Sequence, residues 1–254
     1  MRIYLAGPIP YMATNYKKVG ISSHELYHDA NVLMSFVYCN DYITSEIFPN
    51  CKRLLLDSGA FTFFSAGKTV DWPAYVDRYA DFIKRYGIKS FFELDIDPLV
   101  GYERVLDLRK RLEDRTGMAC IPVWHKSRGP DRFYEMCEQY SYVAIGGIVS
   151  REIKRGEYRA FKGMIQYAHQ HDAKIHGLGF TNLTELHKYH FDSVDSTSWV
   201  SGNRFGTIYQ FTGHTIRAFK KQEGKRVAKD KYLELGTHNF IEWKKFCKYA
   251  ESNL

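Results

Sequence analysis

An α/β fold is predicted, a (β/α)8 TIM-type barrel forming a single domain over residues 1–254, and three observations predict it. The chain's 254 residues match the ~250 that one such barrel takes. Short apolar runs closed by aspartate, histidine or glycine alternate with amphipathic stretches. No linker, low-complexity tract or long charge run interrupts them, so nothing marks a second domain.

The elements follow in order. Residues 31–38 (NVLMSFVY) read as a buried strand. Residues 53–56 lead into Asp57, 90–94 into Asp95, and 118–123 into Trp124 and His125. Residues 142–145 lead into Gly146-Gly147, 174–176 into Gly177, and 193–194 into Asp195. A last run, 207–211, supplies an eighth strand. Apolar, β-branched runs of this kind suit parallel strands covered on both faces. Between them, residues 71–86 open with Asp71 as a cap and Pro73 in the first turn of a helix. Helical spacing then brings Tyr75, Tyr79, Phe82 and Ile83 near one face. Residues 101–115, 131–140, 158–171 and 182–190 repeat the pattern, and 239–249 form a further amphipathic helix. Residues 1–30 contain no strand in this count and form an N-terminal extension; 214–254 form a basic, helical C-terminal segment. No GxGxxG or GxxxxGKS phosphate loop occurs, which argues against a doubly wound nucleotide-binding sheet.

Composition narrows the class. Hydrophobic residues at 44% and charged residues at 26% exclude a disordered chain. The formal net charge of +7 fits a polyanionic partner, nucleic acid first, and on charge alone it fits simple solubility equally well. The five cysteines, Cys39, Cys51, Cys120, Cys137 and Cys247, form no CxxC or CxC pair. A disulfide framework and a zinc or iron–sulfur knuckle are therefore not expected, and reduced thiols in the cytoplasm are. Residues 1–18 hold no apolar run long enough for a signal peptide or a membrane span, so no membrane partner is expected.

In a barrel, the C-terminal ends of the strands carry the chemistry. Those ends hold Asp57, Asp95, His125, Gly146, Gly147, His176 and Asp195. One aspartate at such a place is an ordinary helix cap, whereas three together point to a site. Two converging carboxylates can divide labour at a glycosidic carbon. One attacks it and the other protonates the departing group, for an O-linked or an N-linked bond. A lone histidine at a strand end is more often structural, and no zinc ligand triad is visible around His125 or His176.

The same segments resemble the tRNA-guanine transglycosylase superfamily. Leu56-Asp57-Ser58-Gly59-Ala60-Phe61 resembles the DSGGFQ signature, with Ala60 for the second glycine and Thr62 for the glutamine. Ala144-Ile145-Gly146-Gly147-Ile148 resembles the IGGLA loop, and Gly177-Leu178-Gly179 the GVG strand end. Phe191-Asp192-Ser193-Val194-Asp195 resembles the GxDxFD block. Beyond it Arg204 and Gly206 keep the family's spacing while its Pro-Thr-Arg is lost. The ordered blocks run from Asp57 to Gly206. The CxCxxC…H zinc site of the tRNA enzymes has no counterpart, and the His125 region replaces VQGG. The chain is most similar to the compact DNA-guanine transglycosylases (deoxypurine-in-DNA, DpdA-type) of phages and bacteria.

The resemblance implies exchange of guanine in DNA for a 7-deazaguanine base (preQ0-like) through a covalent glycosyl-aspartate. It implies Asp195 as nucleophile and Asp57 as general acid/base. Asp192 is the rival nucleophile, and motif register favours Asp195. Asp95 would read the Watson–Crick edge, and Gly146 and Gly147 would let the backbone approach the base. Ser58, Phe61, His125 and Gly179 complete the expected base site, with Tyr102 a further stacking candidate. Arg204, Lys220, Lys221, Lys225 and Arg226 are expected on phosphates. No cofactor or metal is expected beyond the 7-deazaguanine co-substrate. A protein partner or homodimer stays open, and the expected compartment is the bacterial or phage-infected cytoplasm. Three alternatives remain: a tRNA-guanine transglycosylase, a non-catalytic nucleic-acid-binding paralogue, and an ordinary glycoside hydrolase, which leaves the glycine pair and the basic charge unexplained.

Overall fold

Among the described residues, seven short parallel strands and an antiparallel hairpin carry the mixed α/β fold of the computed structural model. The structure describes residues 1–9, 12, 18, 20–64, 70–200, 202, 205–220, 228 and 231–254. In chain order the strands are β1 (Arg2–Ala6), β2 (Asn31–Ser35), β3 (Arg53–Asp57), β4 (Val123–Trp124), β5 (Tyr142–Ile145), β6 (Lys174–Gly177) and β7 (Ser193–Ser196). The hairpin consists of β8 (Ile208–Phe211) and β9 (Ile216–Phe219). The longer helices are α1 (Trp72–Arg85), α2 (Tyr102–Thr116), α3 (Pro130–Gln139), α4 (Ala160–Gln170) and α5 (Tyr232–Asn253). The chain divides into two units. The first is Met1–Leu33, Asn40–Arg53 and Gly179–Leu254, and the second is Met34–Cys39 and Leu54–Leu178.

In the first unit β1 is the hub. It pairs in parallel with β2, Leu5 opposite Val32, and with β7, Tyr4 opposite Asp195. The N-terminal residues are thus core strand, which corrects the expectation of an extension without a strand. The short run RIYLA carries no distinguishing period, and only its partners on both sides make it a strand. Helix α5 packs on β1 and β8. It buries Leu233, Phe240, Trp243, Phe246, Cys247 and Ala250, a stripe at helical spacing. It begins seven residues before the predicted start at residue 239, because buried Gly236 and Thr237 are carried by packing against their low propensity. Asn239 ties the unit together. Its Oδ1 accepts the Tyr209 N–H at 2.9 Å and its Nδ2 donates to the Thr207 carbonyl at 3.0 Å.

The expected eighth parallel strand, residues 207–211, is a second correction. Tyr209 is buried while its neighbours Ile208 and Gln210 are exposed, so only one face is covered. A parallel barrel strand needs both faces covered, and this one instead turns back on β9 with Thr212 N–H bonded to the Thr215 carbonyl at 2.9 Å. Among the described residues no eighth parallel strand is present, so the closed eight-stranded barrel is not formed.

In the second unit β4, β5 and β6 form a parallel ladder, with Val123 opposite Ala144 and Ala144 opposite His176. Residues 90–94 do not form a strand of their own. Buried Phe91 and Phe92 make single parallel bridges, Leu56 to Phe91 and Phe92 to Ile121. Helix α1 matches its sequence pattern. The Asp71 carboxylate accepts the Ala74 N–H at 3.1 Å, and Tyr75, Val76, Tyr79, Ala80 and Ile83 are buried. Residues 182–190, expected as a helix, give turns and one short 3-10 turn, Leu186–Lys188. No helix among the described residues is long and apolar enough to cross a membrane.

Candidate functional site

The densest polar constellation lies in the second unit. His125 follows β4, Asp95 follows the Phe91-Phe92 bridges, and Glu152 stands on the loop after β5. The His125 ring bridges the two carboxylates, with Nε2 2.6 Å from Asp95 Oδ1 and Nδ1 2.9 Å from Glu152 Oε2. Glu152 Oε1 also accepts the Ser127 N–H at 2.7 Å. Burial disfavours the imidazolium, but the hydrogen bond and charge of Asp95, then the hydrogen bond of Glu152, outweigh it and hold His125 up at about 9; Arg128 opposes them. At neutral pH both ring nitrogens therefore carry protons, one for each carboxylate.

The Gly146-Gly147 pair has a local physical reason. A Cβ on Gly146 would lie 2.8 Å from His125 Nε2. One on Gly147, at φ +77°, would lie 2.8 Å from Glu152 Oε2. Their missing side chains make room for the imidazole and its second carboxylate.

A buried charge network supports this layer. Fully buried Glu93 accepts from Arg109 Nε at 2.6 Å, Val123 N–H at 2.7 Å and Arg128 Nη1 at 3.2 Å. Arg128 grips both oxygens of Asp97. Its guanidinium also stands 4.5 Å from the Tyr102 ring centroid, and that of Arg132 stands 5.6 Å away. Tyr102, a sequence candidate for stacking on a purine, is thus engaged by two arginines.

Asp57 ends β3 in the same unit. Its Oδ2 accepts the Gly59 N–H at 3.1 Å, closing a tight turn. Ser58 is buried, its hydroxyl faces the Ala60 N–H at 3.4 Å, and its carbonyl accepts the Tyr75 hydroxyl. Ser58 therefore acts as a turn residue. Burial, then the Asp57 charge, push the Tyr75 hydroxyl up. Gly59 has φ +69°, and a Cβ there would come within 2.5 Å of Val37 Cγ2. Gly59→Ala is expected to cost about 1–3 kcal/mol from the strained backbone and overpacking. An unchanged midpoint in urea denaturation would contradict this. His176 is fully buried, with Phe92 at 5.3 Å and Tyr142 at 6.4 Å between centroids, as a core histidine is.

Asp195 belongs to the first unit, on β7. It is 8% exposed and its Oδ1 accepts the Gly179 N–H at 2.7 Å. Gly179 thus orients the carboxylate through its backbone. The Asp192 carbonyl, three residues earlier, accepts the Arg2 N–H at 2.9 Å and braces β1. Lys220 follows β9 and lines a cleft of about 580 Å³ whose wall includes Ile208, Phe219, Leu235, Lys231 and His238. Lys231 pairs there with Glu234 at 3.0 Å. Arg204, Lys221, Lys225, Arg226 and the Phe61 side chain lie outside the described residues.

The structure thus gathers Asp95, His125, Gly146 and Gly147 into one cluster, Asp57 and Ser58 into one turn, and Asp195 with Gly179. Sequence reasoning missed Glu152, Glu93 and Arg128. Glu152 is an acid in a loop with no motif around it, and its role appears only through a partner 27 residues away. Among the described residues no group of three or more His, Cys, Asp or Glu side chains is arranged to hold a metal ion. No family model matches the chain, and no curated protein matches it either.

Proposed function

We propose that the chain is a nucleic-acid guanine transglycosylase that exchanges guanine in DNA for a 7-deazaguanine base. The observation that carries this reading is Asp95. One of its oxygens is engaged by His125, the other makes no hydrogen bond among the described residues, and the side chain is 26% exposed. A carboxylate so held is an acceptor for the N–H donors of a guanine edge. The ordered blocks from Asp57 to Gly206 support the same reading.

The target nucleotide must leave the stack or lie in a single strand. Asp195 attacks C1′, the C1′–N9 bond breaks, and a C1′–carboxylate ester forms. Asp57 gives its proton to the departing guanine. The incoming base returns a proton from N9 to Asp57, its N9 attacks C1′, and Asp195 is released. Two inversions retain the configuration, and the kinetics are ping-pong.

The test supplies radiolabelled guanine with duplex DNA, single-stranded DNA or bulk tRNA. Label entering DNA alone is the expected result. Label in tRNA alone would move the enzyme to the tRNA branch of the superfamily. No label in any polymer would sink the exchange reading and leave a binding protein. With +7 net charge, DNA binding is expected to weaken steeply as salt rises, and a flat response would remove the phosphate contacts.

A further inference from the structure

We infer that Glu152 and His125 are positioning residues that act as a charge relay, holding Asp95 as an acceptor for an N–H-bearing heterocycle. The inference deepens the proposed function and rests on its assignment of Asp95 to the base.

The geometry disfavours a neutral ring between two carboxylates that both accept. A neutral imidazole has one N–H and one lone pair. With carboxylate oxygens at 2.6 Å and 2.9 Å on its two nitrogens, one of them would meet that lone pair. Repulsion would then release Asp95 or free the Glu152 loop. Two carboxylates and one imidazolium leave a net charge of −1, and the unengaged Asp95 oxygen is its outlet toward a donor.

Gly146 and Gly147 admit the ring and Glu152, as their Cβ distances show. Glu152 also accepts from the Ser127 backbone, so one carboxylate joins the loop after β5 to the loop after β4. The charged groups acting on the ring are Asp95, Glu152 and Arg128, the last neutralised by Glu93 and Asp97. The ring is raised from 6.5 to about 9. Its contribution is therefore complete below about 6.5 and is lost as pH rises through about 9.

The experiment follows the His125 Cε1–H signal by NMR from pH 5.5 to 10.5, assigned by its loss in His125→Gln. Binding of guanine and hypoxanthine is measured by calorimetry on the same proteins. The expected midpoint is near 9 in the wild type and at least about one unit lower in Glu152→Gln and in Asp95→Asn. If Glu152→Gln lowers it to about 7, roughly nine tenths of the rings are neutral at pH 8, and those whose Nε2 lone pair faces Asp95 no longer hold it, so guanine affinity falls by up to about tenfold. The titration of guanine itself is common to both proteins and cancels. The turnover number at saturating base is expected to change less than the affinity. Glu152→Asp, which keeps the charge, is expected to restore part of the shift. A midpoint that Glu152→Gln leaves in place overturns the relay, whatever binds. If Glu152→Gln fails to fold, Glu152→Asp and Asp95→Asn decide by the same midpoint. A wild type that binds no purine, with the midpoint still moved by Glu152→Gln, upholds the relay and overturns the transglycosylase reading.

Discussion

Asp195→Ala is expected to abolish incorporation of labelled guanine, by on the order of 10⁴-fold or more, as loss of a covalent nucleophile does. The substitution also removes the acceptor of the Gly179 N–H, so it changes chemistry and local structure together. Asp195→Asn separates the two. Its amide oxygen still accepts from Gly179, but it cannot form the ester. The asparagine variant is expected to melt like the wild type and be as inactive as the alanine variant. A protein–DNA adduct that survives denaturation is expected with the wild type and with neither variant. Asp192→Ala is expected to retain activity within a few-fold, because the backbone carbonyl of that residue makes the bond to Arg2. Full activity in Asp195→Asn, or its loss only in Asp192→Ala, would transfer the nucleophile to Asp192.

Glu93→Ala is expected to have the largest effect on stability. Glu93 is 0% exposed, and Arg109 and Arg128 are 6% and 2% exposed. Removing the carboxylate leaves a buried guanidinium at Arg109 without its acceptor and takes the partner from the Val123 N–H. Breaking a buried pair from one side costs roughly 3–5 kcal/mol, a large share of the 5–15 kcal/mol that holds a typical domain. Arg128 keeps Asp97, so the loss falls mainly on Arg109 and β4. Glu93→Gln keeps an acceptor and is expected to cost less. Urea denaturation gives the ordering, and a loss below about 1 kcal/mol for Glu93→Ala would show that water reaches the arginine. Glu93 and Asp95 stand two residues apart, so the alanine variant is expected to weaken guanine binding as well.

Local periodicity determined much about this protein. The cap of Asp71, the proline after it and the aromatic face specified α1 almost to the residue. The runs ending at Asp57, Gly146 and Asp195 each became a strand that closes where the sequence turns polar. Such features report whether a segment is covered on one face or two, and the segment's own residues carry that information. They also made the strand-end aspartates legible as candidates.

Tertiary structure alone decided the partners. The apolar run RIYLA has the same pattern as many short segments, and it is a central strand only because Val32 and Asp195 flank it. The run from 207 to 211 has strand composition, yet one open face and the turn at Gly213 send it into a hairpin. The glycine pair suggests close approach, but the approaching groups, His125 and Glu152, come from elsewhere in the chain. Glu152 meets His125 across 27 residues and Arg128 meets Glu93 across 35. Charge pairing over such distances leaves no periodic trace, because either member alone reads as an ordinary polar residue until folding removes the water between them.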